Sequence, residues 1–279
     1  MPSTAMSALS APAPVTGPPA QALGQRLRWG VSDTLTMLRR NMLIWSRVPA
    51  FLVFTIVQPV MFVLLFRYVF GGAIPVHIKG GYVNYLMPGI IGQTAAFTSI
   101  GTAIALAQGL KQGSIDRFRS MPMARSAVLL GRLTADVVRG AITLVIIVGV
   151  GYGVGFRFSN GVVPAVLMVA LAVAFGLVMC CVSAFIGLAI KDEESVQAFG
   201  LIWLFPLTFV SAAFVPIATM PGWLQAFAKN QPVTIVIEEM RNLALGGPLG
   251  LHAWQSGVWL AGILVVFVPL AARSYRRAA

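Results

Sequence analysis

The chain has 279 residues, of which 58% are hydrophobic and only 10% charged, and its mean hydropathy is +0.85. Nearly all of that mass belongs in or against a membrane, which leaves no room for a separate soluble domain. The formal charge of +12 raises nucleic acid as a partner, but the placement of the basic residues along the chain argues against it.

Residues 1–22 are rich in Ala, Pro and Ser and hold no Lys or Arg. With neither a charged start nor an apolar core, this stretch is no secretory signal and reads as a disordered tail. In residues 25–47, Leu27, Val31, Leu35, Leu38, Met42 and Trp45 recur at steps of three and four, which makes one apolar helix face. Arg26, Arg28, Arg39 and Arg40 lie mostly off that face. A basic amphipathic helix beside a span lies in the interface plane, either as a plain lipid anchor or as an elbow that also touches a cytoplasmic partner.

Six long apolar runs follow: Pro49–Phe70, Leu86–Leu106, Thr134–Gly155, Val163–Ile190, Ala198–Ile217 and Trp254–Ala272. About 20 apolar residues cross a bilayer core as a helix, and spanning backbone must satisfy its own hydrogen bonds. The runs lack period-two alternation, so the expected fold class is an all-α membrane protein with six transmembrane helices. The N-terminal interfacial helix precedes them, and an outer re-entrant helical hairpin comes before the last span. The domain so defined covers residues 23–275, with 276–279 as a C-terminal tail.

Charge sets the orientation. With the N-terminus inside, fifteen Lys and Arg fall on the inner side. Five fall outside, namely Arg67, Lys79, Arg157, Lys229 and Arg241. That is a positive-inside bias with both termini cytoplasmic, and the excess charge faces anionic lipid heads, with no nucleic acid as partner.

The longest inner loop, Gln108–Arg125, carries Lys111, Asp116, Arg117, Arg119 and Arg125. Ser114 is placed to cap a short helix that ends before Pro122. Composition leaves open a solvated topology loop or a grip for a cytoplasmic machine. The same two readings apply to the tight turn Lys191–Asp192–Glu193–Glu194. Asp136 and Arg139, at i and i+3, are expected to pair in the first turn of the third span. No ionisable group is expected deep in a span, which counts against an ion-driven carrier. Cys180 and Cys181, adjacent on one helix, point apart and do not bridge. The outer loop Thr219–Ala253 is oddly apolar. Trp223 and Phe227 share one side of a first short helix, Pro232 breaks the chain, and a second helix follows. Glu238, Glu239 and Arg241 are expected near water.

The chain has no GxxxxGK[ST] loop, HExxH, CxxC or catalytic Ser/His/Asp set. His77 and His252 fall in separate outer loops and form no metal cluster. The expectation is a non-catalytic chain that binds no cofactor or metal.

Taken in order, several segments resemble one family: the interfacial helix, a first span ending in Phe70-Gly71-Gly72, and Tyr82-Val-Asn-Tyr-Leu-Met-Pro88-Gly89-Ile90. After these come Arg117-Phe-Arg-Ser-Met-Pro122 with Gly131-Arg132, and Pro221-Gly-Trp223-Leu224 with Asn230-Gln231-Pro232 and Arg241. This resembles the membrane subunit of type-2 ABC exporters, in particular the bacterial daunorubicin-resistance permeases. The resemblance covers about residues 25–275. It implies a permease in the bacterial inner membrane that moves a drug, antibiotic or lipid outward. Two copies of a separate cytoplasmic P-loop ATPase hold the ATP and magnesium, and a second permease copy or a related permease completes the assembly. It makes 111–125 the coupling helix, with Lys111, Ser114, Asp116, Arg117 and Arg119, and leaves Lys191 and Glu194 as a second docking point. It makes the 221–245 hairpin, with Trp223, Phe227, Pro232 and Glu238, a cap on the exit path. Gln58, Thr94, Phe97, Thr98, Phe205, Thr208, Phe209 and Ser211 line an apolar path in this reading, or are ordinary helix packing in the other. A secondary carrier or channel not powered by ATP is the alternative class.

Overall fold

The computed structural model describes residues 32, 35, 36, 38–43, 49–72, 74, 80–112, 125–247 and 251–278. These residues are helical nearly throughout, with no strand among them. Helix α1 covers Pro49–Leu65 and continues as a π-helical turn over Phe66–Phe70. Then come α2 (Gly81–Lys111), α3 (Arg125–Gly153), α4 (Val162–Ile190) and α5 (Glu193–Phe209). A short 3-10 turn, Ile217–Thr219, leads to α6 (Gly222–Asn230), α7 (Pro232–Leu245) and α8 (Leu251–Ala278). Residues 32, 35, 36 and 38–43 are also helical, within the expected interfacial segment. The expected tail, 1–22, lies outside the described residues, and α8 runs on through 276–278.

Among the described residues, four helices are long and apolar enough to cross a membrane: Gly81–Lys111, Leu130–Gly153, Val162–Ile190 and His252–Tyr275. Ile56–Phe70 is a shorter apolar helix. The outward faces are apolar, with Val145 67%, Val163 71%, Ile202 70% and Val265 74% exposed. In water such surfaces would aggregate; against acyl chains they are at home.

Helix α2 is the hub, packed on α1, α3, α4, α5 and α7. Its N-terminal stretch, from Tyr82 to Gln93, is buried without a gap, and Leu86, Met87 and Ile90 sit at the core with Phe175, Leu204, Val236 and Ile237. Lipid tails are as apolar as leucine, so helices here associate through close packing at small residues. Gly187 on α4 is such a point, since a Cβ there would run into the backbone carbonyl of Ala103. Gly187→Val should therefore lower stability by about 1–3 kcal/mol. Gly149→Val, where a Cβ meets nothing within 4 Å, should not. Thermal midpoints of the two purified variants check this.

The fifth apolar run departs from expectation. It was expected as a span over Ala198–Ile217, but α5 starts earlier, at Glu193, and ends at Phe209. Asp192 caps its start by accepting from the Ser195 backbone N–H at 2.9 Å, and Glu193 and Glu194 complement the helix dipole. At the other end, buried side chains take over the backbone groups that a continuing helix would have satisfied. Tyr82 Oη donates to Phe214 O at 3.0 Å, and Tyr85 Oη to Ala212 O at 3.1 Å. Arg241 Nη2 also donates to Ala212 O, at 2.7 Å. The Ala212 N–H donates to Thr234 Oγ1 at 3.3 Å. Four side chains on α2 and α7 thus hold the chain open from Ser211 to Phe214.

The paired short helices after this break are present, with Pro232 at the first turn of α7 and Gly246 closing it at φ 87°. The expectation that Glu239 and Arg241 stay near water is wrong: they are only 3% and 8% exposed. Arg241 lies 3.8 Å over the Tyr85 ring and donates through Nε to Tyr85 O at 3.2 Å. Carbonyl acceptors and an aromatic face take the place of water around its guanidinium. Glu238 is partly exposed and sits 3.4 Å from His252.

Candidate functional site

A groove of about 550 Å³ runs between α1, α2 and α5, with one residue of α3 in its wall. Gln58, Pro59 and Phe62 come from α1, and Gln93, Thr94, Phe97, Thr98, Ile100, Gly101 and Ile104 from α2. Arg139 comes from α3, and Gln197, Leu201 and Phe205 from α5. Its size is that of a small-molecule site, and its wall is apolar with a few amides and hydroxyls. Of the residues expected on an apolar path, Gln58, Thr94, Phe97, Thr98 and Phe205 meet here. Thr208 and Ser211 do not; both are buried and donate to local carbonyls, Thr208 Oγ1 to Leu204 O and Ser211 Oγ to Thr208 O.

Phe209 continues the aromatic surface out of the groove. The Phe97 and Phe205 rings meet edge to face at 5.2 Å, Phe205 stacks on Phe209 at 5.4 Å, and Phe209 contacts Phe214 at 5.0 Å. Phe214 in turn stacks on Phe66 at 4.5 Å, and Phe66 on Phe70 at 5.1 Å. The result is an unbroken line of rings from the groove to the π-helical turn that follows α1. Sequence reading missed the members Phe62, Phe66 and Phe70, although their spacing of four, like that of Phe205 and Phe209, marks single helix faces.

Behind the groove lies a buried charge cluster. Asp136 and Arg139 pair at 3.3 Å as expected, but α3 begins at Arg125, so they lie near its middle and not in its first turn. They are 4% and 2% exposed, which overturns the expectation that no ionisable group lies deep in a span. Asp136 Oδ2 accepts from Arg132 Nε at 2.9 Å and from Thr102 Oγ1 at 2.6 Å. Arg139 Nη2 donates to Thr98 O at 2.9 Å. Arg132 Nη2 donates to Gly101 O at 3.2 Å. The cluster joins two cations to one anion, and carbonyls of α2 share the load. Buried charges persist when paired and hydrogen-bonded in this way. Cys180 and Cys181 are both free, and Thr102 Oγ1 lies 3.4 Å from Cys180 Sγ.

At the opposite end from the π-helical turn, the C-terminal end of α2 and the α4–α5 turn come together. Lys111, Lys191 and Glu194 are exposed, and Gln108 Nε2 donates to Glu193 Oε2 at 2.8 Å. The Asp192 carboxyl is held below its ordinary range, chiefly by the donated Ser195 N–H, with Lys111 adding its positive charge. Residues 113–124, with Ser114, Asp116, Arg117 and Arg119, lie outside the described residues. Of the hairpin residues, Trp223 and Phe227 are exposed on α6, separate from the groove. Among the described residues no group of His, Cys, Asp or Glu is placed to hold a metal ion.

The model of the ABC-2 type transporter family matches residues 32–245. A daunorubicin resistance ABC transporter permease protein, DrrB1, of Streptomyces coeruleorubidus is 34% identical over 249 residues, or 88% of this chain and 87% of the relative. A doxorubicin resistance ABC transporter permease protein, DrrC, of Mycobacterium tuberculosis is 30% identical over 249 residues, 89% of this chain and 90% of the relative.

Proposed function

The chain belongs to the ABC-2 type transporter family, and from that premise we propose that its groove carries an amphiphilic substrate outward while a separate ABC ATPase supplies the energy. It is a multi-pass, non-catalytic permease subunit of an ABC transporter. In this reading α1, α2, α3, α4, α5 and α8 are six crossings in a bacterial plasma membrane, with both termini inside as the basic residues dictate. The α6–α7 hairpin caps the outer end of the path. Two ATPase copies, which bind ATP and magnesium, serve two permeases. They seat the 111–125 loop together with Lys111, Lys191 and Glu194.

The single observation that carries this reading is the groove with its aromatic line. A hydrophobic or amphiphilic molecule of drug or lipid type finds apolar walls, stacking faces and the Gln58, Gln93 and Gln197 amides in one place. The line of rings leads from the groove toward the outer end, with Phe205, Phe209 and Phe70 exposed and Phe214 buried between them. ATP binding draws the two ATPase subunits together. Rigid-body motion of the helices then changes the width of the groove.

Thr94→Trp fills the groove from its α2 wall without touching the inner patch. Efflux of a fluorescent amphiphile from cells expressing the transporter should drop to background, while the permease still co-purifies with its ATPase. Wild-type efflux in that variant would mean the substrate travels elsewhere.

A further inference from the structure

We propose that Gln93 makes the groove accept amphiphiles with an uncharged hydroxyl, carbonyl or amide about one helical turn from their apolar body, and reject bare hydrocarbon. The inference rests on the groove being the substrate site. Gln93, Phe97, Gly101 and Ile104 all line the groove, and their steps of four, four and three make one stripe down α2. Gln93 lies at the end of that stripe nearer the start of α2, about 6 Å along the axis from Phe97 at the helical rise. Phe97 carries the ring that meets Phe205 at 5.2 Å. One turn of helix therefore separates the amide from the place where the rings meet.

Of the three glutamines in the wall, Gln58 and Gln197 are exposed, whereas Gln93 is 6% exposed. Other buried polar side chains are satisfied by protein. Ser99 bonds Ser183 at 2.8 Å, Thr102 donates to Asp136 at 2.6 Å, and Gln231 donates to Thr234 Oγ1 at 3.2 Å. Arg139, also in the wall, is held by Asp136 and by Thr98 O. Gln93 differs: its amide has no hydrogen-bond partner among the described residues, and its stripe opens into the groove. A buried amide left unpaired is costly, and a polar side chain at this depth marks a pathway. An apolar groove in a bilayer has an abundant competitor, the lipid acyl chain, which packs against phenylalanine rings as a substrate does. An acyl chain leaves the amide unpaired. A hydroxyl, carbonyl or amide pairs with it, because glutamine offers two donors and an acceptor. A charged group loses more hydration than one amide returns. Gln93 thus selects the occupant by penalising lipid tails.

The test uses the purified permease–ATPase complex in neutral-lipid nanodiscs and three fluorescent probes on one body: hexylpyrene, pyrenylhexanol and pyrenylhexanoate. Energy transfer from tryptophan to pyrene reads binding, and affinities are expressed per mole fraction of probe in the bilayer. Wild type should bind the alcohol about 10-fold tighter than the hydrocarbon, the effect of one hydrogen bond made in a shielded site, and tighter than the carboxylate. Gln93→Met keeps the length of the side chain and removes the amide. It should bring alcohol and hydrocarbon within about twofold of each other. Its melting temperature should stay at or above the wild-type value, because an unpaired buried amide does not stabilise the fold. Equal binding of alcohol and hydrocarbon by wild type overturns the inference, as does a preference that persists in Gln93→Met. A carboxylate that binds tighter than the alcohol overturns it too. So does a Gln93→Met protein that melts several degrees lower or fails to fold, since the amide would then be structural. These outcomes leave the groove itself standing. If no probe binds, or if hexylpyrene binding is unmoved by Thr94→Trp, the groove reading fails, and this inference fails with it.

Discussion

Replacing Asp136 with alanine should leave little folded protein in the membrane. The carboxylate is the shared anion of Arg132 and Arg139 and accepts from Thr102 of α2. Its removal takes the shared carboxylate from two guanidinium groups, one of them 2% exposed. Breaking a buried ion pair from one side costs about 3–5 kcal/mol, a large share of the roughly 5–15 kcal/mol that holds a protein together. Arg132→Gln should be much milder, since Arg132 has water at hand and its loss leaves the Asp136–Arg139 pair matched one to one. Size-exclusion profiles of fluorescently tagged variants give the comparison. A monodisperse Asp136→Ala protein with a wild-type melting temperature would show that the cluster contributes nothing to the fold.

The second large effect is expected at the inner loop. Arg117→Glu together with Arg119→Glu should leave membrane insertion intact, because many inner cations remain to set topology. Assembly with the ATPase or coupling of hydrolysis to transport should fail. Removing one partner of a buried interfacial charge pair costs about 2–5 kcal/mol, whereas a rim charge costs little. Pull-down and efflux measured on the same membranes separate the cases. Normal results in both would reduce the loop to a topology determinant.

The apolar periodicity made the helical class legible, because a bilayer imposes length and composition on anything that crosses it. It did not make the end of α5 legible. Residues 210–217 are as apolar as the helix before them. What stops the helix is a set of donors and acceptors from Tyr82, Tyr85, Thr234 and Arg241, more than 20 residues away in the chain. The burial of Arg241 was hidden for the same reason: its partners are carbonyls, which every residue has. Asp136 and Arg139 were legible as a pair but not in depth, because α3 extends back to Arg125 through residues too mixed to read as span. Phe97 and Phe205 were legible as aromatic neighbours of small polar residues. Gln93, Gln197 and Arg139 were not, since one sequence does not show which helix faces meet.

The most direct test of the central claim is transport in a defined system. The purified permease is reconstituted in liposomes with its ABC ATPase, and movement of a dansyl-labelled amphiphile is followed with and without ATP. Transport should require ATP and the partner, and should vanish when the phosphate-binding lysine of the partner is replaced while the permease is left intact. Transport by the permease alone, driven by an imposed proton or sodium gradient, would contradict the account and return the protein to the class of secondary carriers.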